Sequence, residues 1–171
     1  PKQSLHVFVI GNAFGYSTTI LGLLFAHSDG GVSGGSVDVI DAETEAACNH
    51  VGSMLTRSIA NASRLDVALS VGMSPRDVPG AMRSKMYDIA FIDGEHSGPQ
   101  LAKDFAAVEP HLAKRRAVVV LHDVGFFVLH EAVAGLPKTW QRHAVRGQAY
   151  KNLVGTVLLH RGFPEGTFDG F

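Results

Sequence analysis

Apolar positions along this chain alternate between two spacings. Leu5 to Ile10 (LHVFVI) is an unbroken apolar run rich in β-branched residues, too short for a helix, and it predicts a strand buried on both faces. Gly11 and Gly15 then bracket a tight loop. From Ser17 the apolar residues return at helical spacing in Ile20, Leu21, Leu24 and Phe25, with Ser17 or Thr18 as the N-cap. Ser28 to Ser36 reads as a glycine-rich turn, and Val37 to Ile40 as a second strand ending on Asp41. Thr44 to Ala62 predicts a helix with Val51, Met54, Leu55 and Ile59 on its apolar face. Leu65 to Leu69 predicts a third strand, after which Ser74-Pro75 opens a helical turn. Tyr87 to Ile92 predicts a fourth strand ending on Asp93, and Pro99 to Val108 a helix closed by Pro110. Ala117 to Leu121 predicts a fifth strand that runs into His122-Asp123, followed by a helix from Phe126 to Ala134. Two late strands, Trp140 to Val145 and Val154 to His160, predict a closing hairpin.

Strands that alternate with helices imply an α/β domain with a mostly parallel sheet, helices on both faces and right-handed crossovers. In such a sheet a ligand sits beyond the carboxyl ends of the strands, near the point where strand order reverses. Here those ends carry Gly11 to Gly15, Asp41, the Ser70 to Ser74 loop, Asp93 and His122-Asp123. Polar residues therefore gather where the geometry predicts a site.

Composition narrows the class. The 171 residues read as one domain with no internal repeat or low-complexity tract, long enough to bury a real core. A formal net charge of −1 gives no basic excess to attract nucleic acid, and no apolar run approaches the ~20 residues of a membrane span. The single Cys48 cannot form an internal disulfide, and no secretory signal opens the chain, so a cytoplasmic protein is expected. The first strand begins within a few residues of Pro1, which suggests a processed or trimmed start, or a lid that lies elsewhere.

A strand, a glycine loop and a helix form the opening of a nucleotide-binding unit, since glycines let a ligand approach the backbone and the helix N-terminus favours oxygen-bearing groups. Many α/β domains use such a loop only as a connection. Gly11-Asn12-Ala13-Phe14-Gly15 lacks the G-x-G-x-x-G spacing of a dinucleotide fingerprint, and no G-K-[ST] follows, so neither a dehydrogenase nor a triphosphate-binding loop is supported. Asp41 can accept two hydrogen bonds from a ribose diol, or cap the following helix; Glu43 competes for the ribose. Ser74 lacks the flanking glycines of a hydrolase elbow.

The loop does match G-x-x-x-G-x-S-T, and with it the chain resembles a class I S-adenosylmethionine-dependent methyltransferase. More narrowly it resembles the small-molecule O-methyltransferase-like branch that includes cephalosporin-hydroxylase-type proteins. The resemblance spans nearly the whole chain and is most specific from Tyr87 to Val124, in YDIAFIDGEHSGPQLAKDF, EPHL and AVVVLHDV. It implies a Rossmann-like methyltransferase fold whose seven-stranded sheet has an antiparallel last strand. It also implies that Gly11, Asn12, Ala13, Gly15 and Ser17 face the methionine part of the cofactor, that Asp41 holds the ribose, that Gly72, Met73 and Ser74 lie near adenine, and that Asp93 contacts the cofactor. Three positions depart from the family pattern: Val9 where an acid is usual, Met73 where Gly-Asp-Ser is common, and Lys114-Arg115-Arg116 where paired glycines precede the fifth strand.

Methyl transfer to oxygen needs an acceptor proton removed by a base or a metal. His96 and His122 are the candidate bases; His96 lies in a polar loop beyond its strand, while His122 adjoins a buried strand and can serve simply to bond backbone. Asp93 and Asp123 end adjacent strands and could share Mg²⁺, or Asp93 could cap the next helix. Catechol-type relatives add an amide or acid after the second aspartate, where this chain has Val124, so that triad is incomplete unless Glu95 or a water substitutes. Phe126 and Phe127 are read either as acceptor-pocket residues or as core, Trp140 as packing, the 114–116 cluster as solvated, and His27, His50 and His143 as surface or structural. These readings combine into an S-adenosylmethionine-dependent O-methyltransferase acting on a small hydroxylated molecule, without nucleic-acid or membrane partners and able to form homo-oligomers. Its rivals are a non-catalytic binding or assembly module of the same fold and another nucleotide-using enzyme such as a dehydrogenase.

Overall fold

The computed structural model describes residues 3–26, 32–42, 50–62, 66–84, 86–145 and 155–169. Seven strands form one sheet in the order β3-β2-β1-β4-β5-β7-β6: β1 Gln3–Ile10, β2 Val32–Asp41, β3 Asp66–Val71, β4 Ile89–Ile92, β5 Ala117–Leu121, β6 Gln141–Val145 and β7 Thr156–Arg161. The first five strands pair in parallel, and β7 inserts antiparallel between β5 and β6. Strand order thus reverses between β1 and β4, as the Rossmann-like reading requires. Among the described residues five α-helices accompany the sheet: α1 Tyr16–Ala26, α2 Val51–Ala62, α3 Val78–Ala81, α4 Gly98–Val108 and α5 His130–Gly135.

Alternation of side chains along β1 places Val7 and Val9 on one face and Phe8 and Ile10 on the other, all buried. The first pair joins Val37 and Val39, with Leu21 of α1 packed against them. The second joins the larger cluster covered by α4 and α5, which includes Leu101, Phe105, Val133 and Trp140. At the amino-terminal side of the sheet, buried Asp38 accepts a hydrogen bond from the Tyr87 hydroxyl (2.5 Å) and one from Arg83 Nε (2.7 Å), so its charge is paired rather than stranded.

Several elements differ from the sequence expectation. Val32 to Ser36 belongs to β2 rather than to a glycine-rich turn, because Gly35 lies against β1, where a Cβ would come 2.0 Å from Leu5 O. Helix α1 starts at Tyr16, one residue earlier than expected, and Thr18 lies inside its first turn rather than capping it. The residues after Ser74-Pro75 form a turn, and helix begins only at Val78. Residues 124–129 are likewise turn before the short α5. The expected apolar face of α2 is reversed: Val51, Met54 and Leu55 are exposed, while Ser53 and Thr56 are buried. Glu43, Thr44, Cys48 and His27 lie outside the described residues, and so does the side chain of Ile59.

Candidate active site

At the carboxyl ends of β1 to β5, where strand order reverses, lies a cavity of about 900 Å³. Its floor is the β1–α1 loop. Gly11 has φ of +88°, and a Cβ there would fall 1.9 Å from the carbonyl oxygen of Asp93, so only glycine lets β1 end this close to β4. Asp41 closes the loop from the end of β2, its Oδ2 accepting the backbone N–H groups of Asn12 (2.5 Å) and Ala13 (3.0 Å). The buried Asn12 side chain braces the same loop: its Nδ2 donates to Thr56 of α2 (3.0 Å), and its Oδ1 accepts from Thr18 of α1 (2.8 Å). This explains the reversed face of α2. Its small residues must meet the loop, and a Cβ on Gly52 would reach 1.9 Å from Ala13 O.

On the β3 side, Gly72, Met73 and Ser74 line the cavity. No acid stands at position 73, but Asp77 accepts the Met73 N–H at its Oδ2 (2.8 Å) and holds the turn from behind. Hydrogen bonding from Arg76 and from that N–H keeps the Asp77 carboxyl down at about 2. Ser74 Oγ donates to Asp104 Oδ1 of α4 (2.6 Å), and Gln100 Nε2 donates both to that oxygen (2.8 Å) and to Ser74 O (2.9 Å). Burial raises the Asp104 carboxyl against the lowering influence of these two donors.

On the β4–β5 side, two aspartates and two imidazoles converge. His122 Nδ1 lies 3.1 Å from Asp93 Oδ1 and 3.2 Å from Asp123 Oδ1. His96 Nε2 lies 3.3 Å from Asp93 Oδ1 and 3.6 Å from Asp123 Oδ2. The hydrogen bond from His122 to Asp93 raises the imidazole, a gain that its partial burial opposes. Burial pushes the Asp93 carboxyl up, and hydrogen bonds from His122 and His96 outweigh it, leaving that group low and anionic. Asp123 occupies the left-handed region at φ 56°, a conformation held by its surroundings at the strand end. The His96 ring stacks on Phe127 with centroids 4.1 Å apart and planes 6° apart.

A family model for a methyltransferase domain matches residues 8–124, two thirds of the chain, from the first strand through the aspartate-imidazole cluster. The chain belongs to this methyltransferase-domain family. No curated protein matches it in sequence. Among solved structures the domain is similar to an O-methyltransferase from Bacillus cereus in complex with SAH, at 16% identity and TM-score 0.64, over 91% of this chain and 73% of that one. It is also similar to the O-methyltransferase TomG from Streptomyces achromogenes, involved in tomaymycin synthesis and in complex with SAM, at 18% identity and TM-score 0.65, over 94% and 74%. An rRNA methylase from Streptococcus thermophilus follows at 13% identity and TM-score 0.59, over 94% and 88%. At these identities the likeness is one of fold.

The methyltransferase domain brings most of the sequence-predicted residues to one cavity: Gly11, Asn12, Ala13, Asp41, Gly72, Met73, Ser74, Asp93, His96 and Asp123 all line it. Gly15 and Ser17 do not. Gly15 packs on α2, where a Cβ would meet Gly52 O at 2.9 Å, and Ser17 lies within α1. His122 stands behind the lining, bonded to carboxylates rather than to backbone alone. Phe126 and Phe127 are exposed rather than core, Phe127 lines the cavity, and Trp140 is buried packing as expected. His50, read as surface or structural, opens onto the cavity. Gln100, Asp104, Ser97 and Ser53 also line it without having been anticipated. One signal was available: Gln100 and Asp104 are four residues apart, on the helix face that carries Leu101, Phe105 and Val108 into the core.

Proposed function

We propose that this methyltransferase domain moves a methyl group from S-adenosylmethionine to an oxygen of a small hydroxylated molecule. The observation that supports this best is the cluster of Asp93, His96 and Asp123 in the lining of the cavity that also holds the glycine loop and Asp41, with His122 behind it. The loop would take the methionine part of the donor, Asp41 the ribose and the 72–74 turn the base. In the transfer the acceptor oxygen forms a bond to the methyl carbon as the carbon–sulfur bond breaks, and the sulfonium becomes a neutral thioether. The acceptor's proton must leave. With an N–H at Nε2 directed to Asp93, the lone pair of His96 sits on Nδ1, and this atom takes the proton. Asp93 orients both imidazoles, and its hydrogen bond to His122 raises that group.

Asp93, His122 and Asp123 each place one ligand atom within 4.8 Å of the others. The Asp93 and Asp123 carboxylates would supply oxygens to Mg²⁺, with water completing its octahedron, whereas the His122 imidazole is a poor ligand for it. Val124, which follows Asp123, is buried and contributes no oxygen from its side chain. His96 can take the acceptor's proton without a metal, and proton removal is assigned to it.

Calorimetric titration with S-adenosylmethionine and S-adenosylhomocysteine tests the reading. Micromolar binding of both is expected, lost in Gly11→Val, where the added side chain would enter the space held by the Asp93 carbonyl. Absence of binding by folded wild-type protein would sink the proposal and favour a non-catalytic module.

A further inference from the structure

The segment from Asp123 to Leu129 joins β5 to α5 and reverses direction sharply at both ends. Asp123 at φ 56° and Val128 at φ 55° both occupy the left-handed region, and for a β-branched residue that conformation is especially unfavourable. Val128 has no packing of its own to offset this, since it is 77% exposed. Backbone strain of this kind persists only where the neighbours over-determine it. On one side, Leu129 is buried, and its N–H donates to the carbonyl of Val124 at 2.8 Å. Val124 is buried too, and its N–H donates to Gly155 O at 2.8 Å. On the other side, Phe127 lines the cavity and lies on His96. The reversal at Val128 is what sends Leu129 into the core and Phe127 into the site.

The stack is close, with ring centroids 4.1 Å apart and planes 6° apart, and Phe126 braces Phe127 edge-on at 4.8 Å and 74°. The polar contacts of His96 are long by comparison: Nε2 is 3.3 Å from Asp93 Oδ1 and 3.6 Å from Asp123 Oδ2. Contacts of that length leave an imidazole free to turn about its Cβ–Cγ bond. The phenyl face excludes every orientation except the two in which the rings are parallel. The carboxylates then choose between those two by drawing the Nε2 proton toward them. We infer that Phe127 is a positioning residue for proton transfer: held by the reversal at Val128, it fixes the imidazole plane so that Nδ1 faces the acceptor. This rests on the assignment of proton removal to His96 above.

Nitrogen–proton NMR spectra of histidine-labelled protein at about pH 8, where an ordinary imidazole is neutral, test this directly, with His96→Gln identifying the signal. Wild type is expected to show one His96 tautomer, protonated at Nε2, with its carbon-bound ring protons shifted upfield by the phenyl face. Phe127→Leu keeps apolar bulk without a flat face, so it should give mixed tautomers and ordinary ring-proton positions. It should also lower kcat on hydroxylated acceptors at least about tenfold, while S-adenosylhomocysteine affinity changes less than about threefold. Phe127→Tyr keeps the flat ring and should restore both the single tautomer and the rate. Val128→Gly should raise the melting temperature by about 2–4 °C, because glycine adopts the left-handed conformation at little cost. A wild type with mixed tautomers or unshifted ring protons overturns the inference. So does a Phe127→Leu that keeps the single tautomer, or one that loses affinity as much as rate, since Phe127 would then only line the cavity. A lower melting temperature in Val128→Gly overturns the role given to the reversal. The tautomer decides the matter even where no acceptor reacts. Failure of wild type to bind S-adenosylhomocysteine would instead sink the cofactor reading, a result separate from an unstacked His96.

Discussion

His96 Nε2 lies 3.3 Å from Asp93 Oδ1, and its ring is clamped by stacking on Phe127, so the imidazole is oriented before any acceptor arrives. A positioned base contributes about 10²–10⁴-fold to proton removal. His96→Ala should therefore lower kcat by roughly that factor while changing affinity for S-adenosylhomocysteine less than about threefold. Steady-state methyl transfer on a panel of hydroxylated acceptors, paired with calorimetry, checks both halves. Loss of affinity comparable to the loss of turnover would make His96 a binding residue instead. Asp41 behaves differently from a plain ribose ligand: because its Oδ2 holds the Asn12 and Ala13 N–H groups, the carboxylate belongs to the loop's architecture as well as to the cavity.

At the scale of elements, the arrangement that shapes the site is the approach of α2 to the β1–α1 loop. Asn12, Thr18 and Thr56 form one buried hydrogen-bonded group, and Gly52 lets the Ala13 carbonyl sit almost on the α2 backbone. Ala13 is held at φ 36° in that contact. Gly52→Ala places a methyl where the carbonyl now lies, and forced overpacking of this kind costs about 1–3 kcal/mol. A lower melting temperature together with weakened S-adenosylhomocysteine binding is expected, because the displaced loop is the cavity floor. A variant that melts like wild type would show that α2 can retreat freely.

Across the whole molecule, the sheet's order places the site at the β1–β4 reversal, while β6 and β7 complete the far edge. There His160 of β7 is buried against Phe168 (centroids 4.5 Å apart) and Phe163 (6.1 Å), with His143 of β6 beside the same Phe168 (6.3 Å). Burial, and the nearby His143, hold the His160 imidazole below its ordinary value of 6.5. The folded chain therefore keeps this group neutral, and the unfolded chain protonates it first. Stability from this source is complete above the unfolded value and is lost as pH falls below it, through the lower folded value. Thermal melts from pH 7.5 to 5 should show a falling midpoint, and His160→Gln should flatten that slope. An unchanged slope would assign the acid sensitivity to other groups.

Strand positions, the α/β class and the acids at strand ends were readable from the chain alone, since burial on both faces forces continuous apolar runs and polar residues mark where those runs stop. Gly11, Asp41, Asp93, His96 and Asp123 were visible for that reason. What needed the tertiary structure was every relation between distant segments. Helix α2 turns its small polar face inward because the glycine loop comes so near, overriding the apolar stripe of Val51, Met54 and Leu55. His122 becomes a partner of Asp93, 29 residues away, only when β4 and β5 pair. Asp104 and Ser74, 30 residues apart, meet only when α4 crosses behind the β3 turn. Periodicity reports which way a residue faces along its own element; which residues it faces there depends on how the elements pack together.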